Sequence, residues 1–210
     1  SIIDSTQAGR DAGEALDDRA NGIPILGGLV EAVEHAPQLP DCLILGMAPS
    51  DGRLSLRDRD VVLDAMALGM NIVSGLHEFL GDDAEFVAAS RVRKVTLLDI
   101  RKPRPSKDLR LFDGRINDVT CPRIAVLGTD CAIGKRTTAT LLTEALIARG
   151  VRAALVCTGQ TGLIQGAKYG VALDSVPSQF CCGEMEGAVL AAFEAESPDV
   201  IIIEGQGALS

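Results

Sequence analysis

The sequence has no tryptophan, one tyrosine and five phenylalanines, so aromatic residues make up only 3% of its 210 positions. A core built from this chain must therefore rest on Val, Ile, Leu and Ala. Basic residues are the minority, 20 Lys and Arg against 29 Asp and Glu, for a net charge of −9. That balance argues against a nucleic-acid backbone as the main partner and favours solubility. No apolar run reaches the length of a membrane span, and no signal-peptide pattern opens the chain. There are only two histidines, and no Cys-x-x-Cys pair or Cys/His cluster, so no zinc or other metal site is expected. The six cysteines, Cys42, Cys121, Cys131, Cys157, Cys181 and Cys182, fit reduced thiols in a cytoplasmic protein. The first residue is Ser rather than Met, which suggests that a natural N-terminus is missing.

What is present is 47% hydrophobic and 23% charged, ordinary for a soluble α/β protein of one large or two small domains. Residues 1–100 alternate short apolar runs with helix-like stretches. Ile23–Leu26, Asp41–Gly46, Asn71–Ser74 and Lys94–Ile100 read as strands. Leu29–His35, Leu56–Leu68 and Asp82–Arg91 read as helices, with Asp82-Asp83 as a cap and Gly69 as a stop. Residues 101–122 hold Pro103, Pro105, Pro122 and many charges, and read as an interdomain linker or long surface connection. The Arg/Lys cluster in that segment is a candidate anion patch or a solvated face. From residue 123 to 210 the pattern resumes. Ile124–Leu127, Ala153–Cys157 and Val200–Ile203 read as buried strands, and Lys135–Arg149 as a helix. Ser178–Glu194 reads as a helix weakened by Gly183 and Gly187. Continuous Val/Ile/Leu runs between helices predict parallel sheets covered on both faces, in two doubly wound α/β domains. Three strands and two helices do not complete the second of these, so it is expected to be truncated at its C-terminus.

The strongest chemical signal runs from Gly128 through Thr129, Asp130, Cys131, Ala132, Ile133, Gly134, Lys135, Arg136 and Thr137 to Thr138, between a strand and a helix. Glycines let the backbone wrap a phosphate, and the helix N-terminus offers free N–H groups and a positive dipole end. Lys135 adds a point charge, and Thr137 or Thr138 a hydroxyl for phosphate oxygen or magnesium. Five residues separate Gly128 from Gly134, one more than in the common loop, and Arg136 stands where that loop has Ser or Thr. This loop resembles that of dethiobiotin synthetase and its ATPase relatives.

Glu204, in Glu204-Gly205-Gln206-Gly207 at a strand end, is a candidate general base or metal holder beside the phosphate. Cys157-Thr158-Gly159-Gln160-Thr161-Gly162 ends another strand, where Thr158 and Gln160 are candidates for orienting substrate. This segment also reads as a plain turn. His77, in Ser74-Gly75-Leu76-His77-Glu78, is a second candidate base or a surface histidine. Nothing in the sequence activates Cys181 or Cys182 as a nucleophile, and both read as packing residues.

Together, GTDCAIGKRTT, CTGQTG, IIEGQGALS, DSTQAGRDAG and NIVSGLHEFLGDD resemble a family long described as of unknown function that includes bacterial D-glutamate N-acetyltransferases. The resemblance implies an N-terminal Rossmann-like domain and a C-terminal P-loop domain. It also implies acetyl transfer from acetyl-CoA to the amine of a D-amino acid. The runs GIPILGGLVEAVE and ALGMNIVSG also resemble the CoA-binding domain of succinyl-CoA synthetase. Under that reading residues 128–138 hold cofactor phosphates, Glu204 or His77 takes the ammonium proton, and Arg10 meets a substrate carboxylate. The partner is a small molecule, and a homo-oligomer is expected. Two alternatives stay open: an ATP- and magnesium-dependent ligase or kinase-like enzyme, and a nucleotide-binding regulatory module without catalysis.

Overall fold

The computed structural model describes residues 1–49 and 52–207. Ala208, Leu209 and Ser210, the end of the IIEGQGALS motif, lie outside the described residues. Contacts divide the chain into two units, residues 1–73 with 80–98, and residues 74–79 with 99 onward. Both are α/β, and the parallel layers expected from the apolar runs are present.

The first unit begins with β1 (Ile2–Ile3), α1 (Ala12–Asp17), β2 (Ile25–Leu26) and α2 (Leu29–His35). β1 and β2 pair in parallel as a two-stranded sheet. They are followed by β3 (Cys42–Leu45), α3 (Leu56–Ala67), β4 (Asn71–Ser74), α4 (Ala84–Arg93) and β5 (Leu97–Asp99), whose strands form a second sheet in the order β3-β4-β5. Capping explains the boundaries. Ser55 accepts from Asp58 N, and Asp83 accepts from Glu85 N and Phe86 N, so α4 starts one residue after Asp83. Lys94, read as the start of a strand, is instead the left-handed C-cap of α4 (φ 57°), and β5 is the shorter for it. Val62, Ala65 and Met66 of α3 are buried, as are Met70, Ile72, Leu80 and Phe86. Arg59 stacks 4.4 Å from the Phe86 ring centroid and pairs with Asp83 at 2.9 Å and Glu85 at 2.8 Å.

The second unit holds β6 (Arg123–Val126), α5 (Lys135–Ile147), β7 (Ala153–Cys157), α6 (Gln160–Ile164), β8 (Tyr169–Gly170), α7 (Ser178–Glu196) and β9 (Val200–Glu204). The order is β6-β9-β7-β8, with every pairing parallel. β9, last in sequence, lies second in space. The crossover from β6 to β7 therefore runs one way across the sheet and the crossover from β8 to β9 runs back. Right-handed crossovers in opposite directions put α5 and α7 on opposite faces. Side-chain alternation agrees with this. Ala154, Val156 and Ile201 pack with Val189, Leu190 and Ala192 of α7. Ala153, Val200 and Ile202 pack with Ala139 and Leu142 of α5.

The segment 101–122 is bound along α7. Glu184 Oε1 accepts from Arg110 N at 2.7 Å and from Arg104 at 2.5 Å. The buried Glu186 carboxylate accepts from Asp113 N at 3.0 Å and Ile116 N at 2.8 Å. These contacts account for the two glycines inside α7. A β-carbon at Gly183 would collide with the Arg110 carbonyl, and one at Gly187 with the Arg110 guanidinium. Helix propensity is given up so that a second backbone can lie against the helix. Cys181 and Cys182, read as packing residues, are half-buried and exposed respectively, near the start of this helix.

Candidate active site

Three parallel strands end side by side. Val126 of β6 is in register with Glu204 of β9, and Val156 of β7 with Ile203. The loop leaving β6, the carboxylate ending β9 and the turn leaving β7 therefore meet at the carboxyl edge of one sheet, where open α/β folds bind ligands. Gly205 N donates to Val126 O at 3.0 Å, and a β-carbon at Gly205 would come within 2.5 Å of that oxygen. Only glycine lets the two strand ends lie so close.

The loop from Gly128 turns through two left-handed residues, Ala132 (φ 54°) and Gly134 (φ 94°), and enters α5 at Lys135. Gly134 provides no side-chain cap. The first N–H groups of α5 thus have no acceptor within the helix and point to the helix mouth with its partial positive charge. Thr129 through Gly134 are exposed, as are Thr137 and Thr138. The Lys135 ammonium folds back over the loop, donating to the carbonyls of Asp130 and, at 2.9 Å, Gly207. It thereby ties the loop to the segment beyond β9. Arg136 donates to Gln165 Oε1, just past α6. A β-carbon at Gly128 would stand 2.5 Å from Ile133 Cδ1 and 3.1 Å from the Lys135 methylenes, so a side chain there would displace both. This donor set of backbone N–H groups, one ammonium and two hydroxyls fits a pyrophosphate.

Glu204 is buried, with 6% of its surface exposed. Its Oε2 accepts from Thr158 N at 3.3 Å, while the Thr158 hydroxyl donates to the Glu204 carbonyl at 3.0 Å. Thr158 is itself buried, so it braces Glu204 rather than facing solvent. The Cys157 thiol is pushed up to about 12 by burial and then by the Glu204 charge and hydrogen bond. At neutral pH it is a neutral donor beside the carboxylate, not a nucleophile. Gly162 permits this approach, since a β-carbon there would collide with Cys157 Sγ and lie 3.3 Å from Glu204 Oε2. The CTGQTG run, which also read as a plain turn, passes from the last residue of β7 at Cys157 into α6. Gln160 is its first residue, and its side chain lies against Gly75.

His77 lies in the same unit, on the loop after β4, and is exposed. Its Nε2 is 3.9 Å from Asp174 Oδ2. Asp174 also pairs with Arg101, whose Nε donates to Gly75 O at 2.6 Å. Sequence reading did not find Asp174 or its pairing with Arg101. Asp174 sits in a short turn without motif character, and only the fold brings it to Arg101. Arg10 belongs to the first unit, where it is exposed and donates to Gln7 Oε1 at 2.5 Å. Among the described residues no group of His, Cys, Asp and Glu is arranged to hold a metal ion, and no helix is long and apolar enough to cross a membrane.

Comparison with known proteins adds a family context. Residues 5–103 match the model described as a domain of unknown function (DUF1611_N), Rossmann-like domain. Residues 110–210 match the domain of unknown function (DUF1611_C), P-loop domain. A D-glutamate N-acetyltransferase from Pseudoalteromonas sp is 35% identical over 193 residues, covering 90% of this chain and 55% of that protein. A D-glutamate N-acetyltransferase from Tritonibacter scottomollicae is 32% identical over 167 residues, covering 80% and 48%. The chain thus spans about half the length of the curated relatives it matches. A crystal structure of a DUF1611 family protein from Anabaena variabilis superposes with a TM-score of 0.86 at 30% identity. That match covers 99% of this chain and 58% of the other.

Proposed function

The chain belongs to the DUF1611 family, and on that premise we propose that it is an N-acetyltransferase moving an acetyl group from acetyl-CoA to the amine of a D-amino acid such as D-glutamate. The observation that carries the reading is the convergence of an exposed phosphate cradle and a buried carboxylate at adjoining strand ends. The activity for which the two relatives are named supports it.

The cofactor supplies an activated thioester and a pyrophosphate handle. Lys135 and the first N–H groups of α5 hold the phosphates, and Thr137 and Thr138 offer hydroxyls to them. An ammonium group cannot attack a carbonyl, so a base must first remove its proton. Glu204 Oε, held by Thr158 N, is proposed for that step, with His77 as the other candidate. The free amine then bonds to the carbonyl carbon as the carbon–sulfur bond breaks, and the thiol leaves.

The test is release of free thiol when full-length protein meets acetyl-CoA and D-glutamate. Thiol release no faster than in the D-glutamate-free control sinks the reading. A second reading, an ATP- and magnesium-dependent ligase, draws on the same loop with a carboxylate beside it. Titration calorimetry with CoA, acetyl-CoA and magnesium–ATP separates the two, because ATP binding without CoA binding would put the ligase first. Lys135→Ala should weaken whichever ligand binds, and unchanged affinity would remove the loop from both readings.

A further inference from the structure

Apart from the strand ends, the second unit contains a cavity of about 290 Å³ between α7, the segment bound along it and residues 163–176. Four cationic side chains, Arg101, Lys102, Arg104 and Arg110, line it against a single carboxylate, Glu184. In a chain with net charge −9 that concentration of positive charge runs against the general balance. From sequence alone the same cluster reads as an anion patch or a solvated face. Here it walls a cavity.

Two of the cations, Arg101 and Arg104, are held by carboxylates, while Lys102 and Arg110 are exposed. Arg101 is 8% exposed and anchored by Gly75 O and Asp174, and burial keeps its guanidinium below its ordinary value. Arg104 rests on Glu184 Oε1. The Arg110 guanidinium has no ion pair among the described residues and lies on the α7 backbone where Gly187 lacks a side chain. A glycine inside a helix thus makes room for a guanidinium at the cavity wall. The facing wall is apolar, formed by Leu163, Val171, Ala172 and Val176. Forked guanidiniums suit planar carboxylates, and an aliphatic wall suits methylenes.

We propose that this cavity binds a small aliphatic dicarboxylate. Its assignment to the acceptor substrate rests on the acetyltransferase reading. Arg110 and Arg104 are the carboxylate contacts, and Arg101 sets the opposite end.

The experiment is calorimetry of the full chain with glutarate, D-glutamate, L-glutamate and inorganic phosphate, on the wild type and on Arg110→Gln, Arg104→Gln, Arg10→Gln and Lys135→Ala. Arg110→Gln keeps the backbone bond to Glu184, and Arg104→Gln is the second handle should it fold poorly. Saturable binding of glutarate and D-glutamate is expected, weakened about tenfold or more in Arg110→Gln and Arg104→Gln. Arg10→Gln and Lys135→Ala should leave it unchanged. Absence of dicarboxylate binding, or affinity untouched by both cavity variants, overturns the proposal. So does binding lost only in Lys135→Ala, which would move the anion to the phosphate loop. If thiol release fails but glutarate binding still falls in Arg110→Gln, the cavity site stands and the acetyl-transfer reading does not. If thiol release proceeds with KM for D-glutamate unchanged in both cavity variants, the acceptor assignment falls and the acetyl-transfer reading stands.

Discussion

Replacing Gly183 by Ala sets two effects of known sign against each other. A glycine inside a helix is worse than alanine by about 1 kcal/mol, so an unencumbered site would gain stability. Here the new β-carbon meets backbone, the Arg110 carbonyl and Leu111, not the end of a flexible side chain. The segment must lift from α7, which strains the Arg110 N–Glu184 bond at 2.7 Å. Overpacking costs about 1–3 kcal/mol, and a hydrogen bond to a charged acceptor is worth about 1.5–3 kcal/mol. After subtracting the propensity gain, a net loss of about 3 kcal/mol remains. For a chain of this size that lowers Tm by about 9 °C. Tyr169 is the only tyrosine and there is no tryptophan, so tyrosine fluorescence reports on the second unit specifically. Urea unfolding followed by that signal should show a lower midpoint at an unchanged slope. A midpoint raised by the full propensity gain would refute the idea that the segment is docked at Gly183.

Glu186→Ala should destabilise the same unit by about 3 kcal/mol, because it leaves two segment N–H groups without their charged acceptor; a loss under about 0.5 kcal/mol in the same urea assay counts against the docking. The Arg59 hydrogen bond holds the Asp83 carboxyl below its ordinary value of 3.8. A depressed folded value gives stability that is present above the unfolded pKa and is lost as pH falls through the folded one. Asp83→Asn should therefore flatten the pH dependence of stability below about pH 4; because Asp83 lies in the first unit, the urea midpoints are followed by far-ultraviolet circular dichroism, and an unchanged slope there would contradict the pairing. In a native thiol titration at pH 8, the exposed Cys42, Cys131 and Cys182 should react first and Cys157 only on unfolding. A ligand in the phosphate loop should protect Cys131 alone of the three, and protection of Cys42 or Cys182 instead would place the ligand elsewhere.

The phosphate loop was legible because its signals are local. A β-branched run, a glycine, a Gly-Lys pair and a helical period follow one another within a short stretch, and each constrains the backbone directly. Glu204 was legible for a related reason, since Val-Ile-Ile-Ile can only be an inner strand and its next residue must reach the binding edge. Register then did what sequence could not. Cys157, Gly162 and Thr158 surround Glu204 because β9 inserts between β6 and β7, and no spacing in the chain announces that insertion. The segment 101–122 was harder still. Its charges have the composition of a solvated linker, and their partners Glu184 and Glu186 have that of an exposed helix face. Gly183 and Gly187 were the available signal, and they pointed the wrong way, toward a weak helix. A glycine that breaks helical propensity without breaking the helix marks a contact strong enough to override propensity. In α7 those contacts are the Arg110 backbone at Gly183 and its guanidinium at Gly187, and the second is the group assigned to the anion cavity.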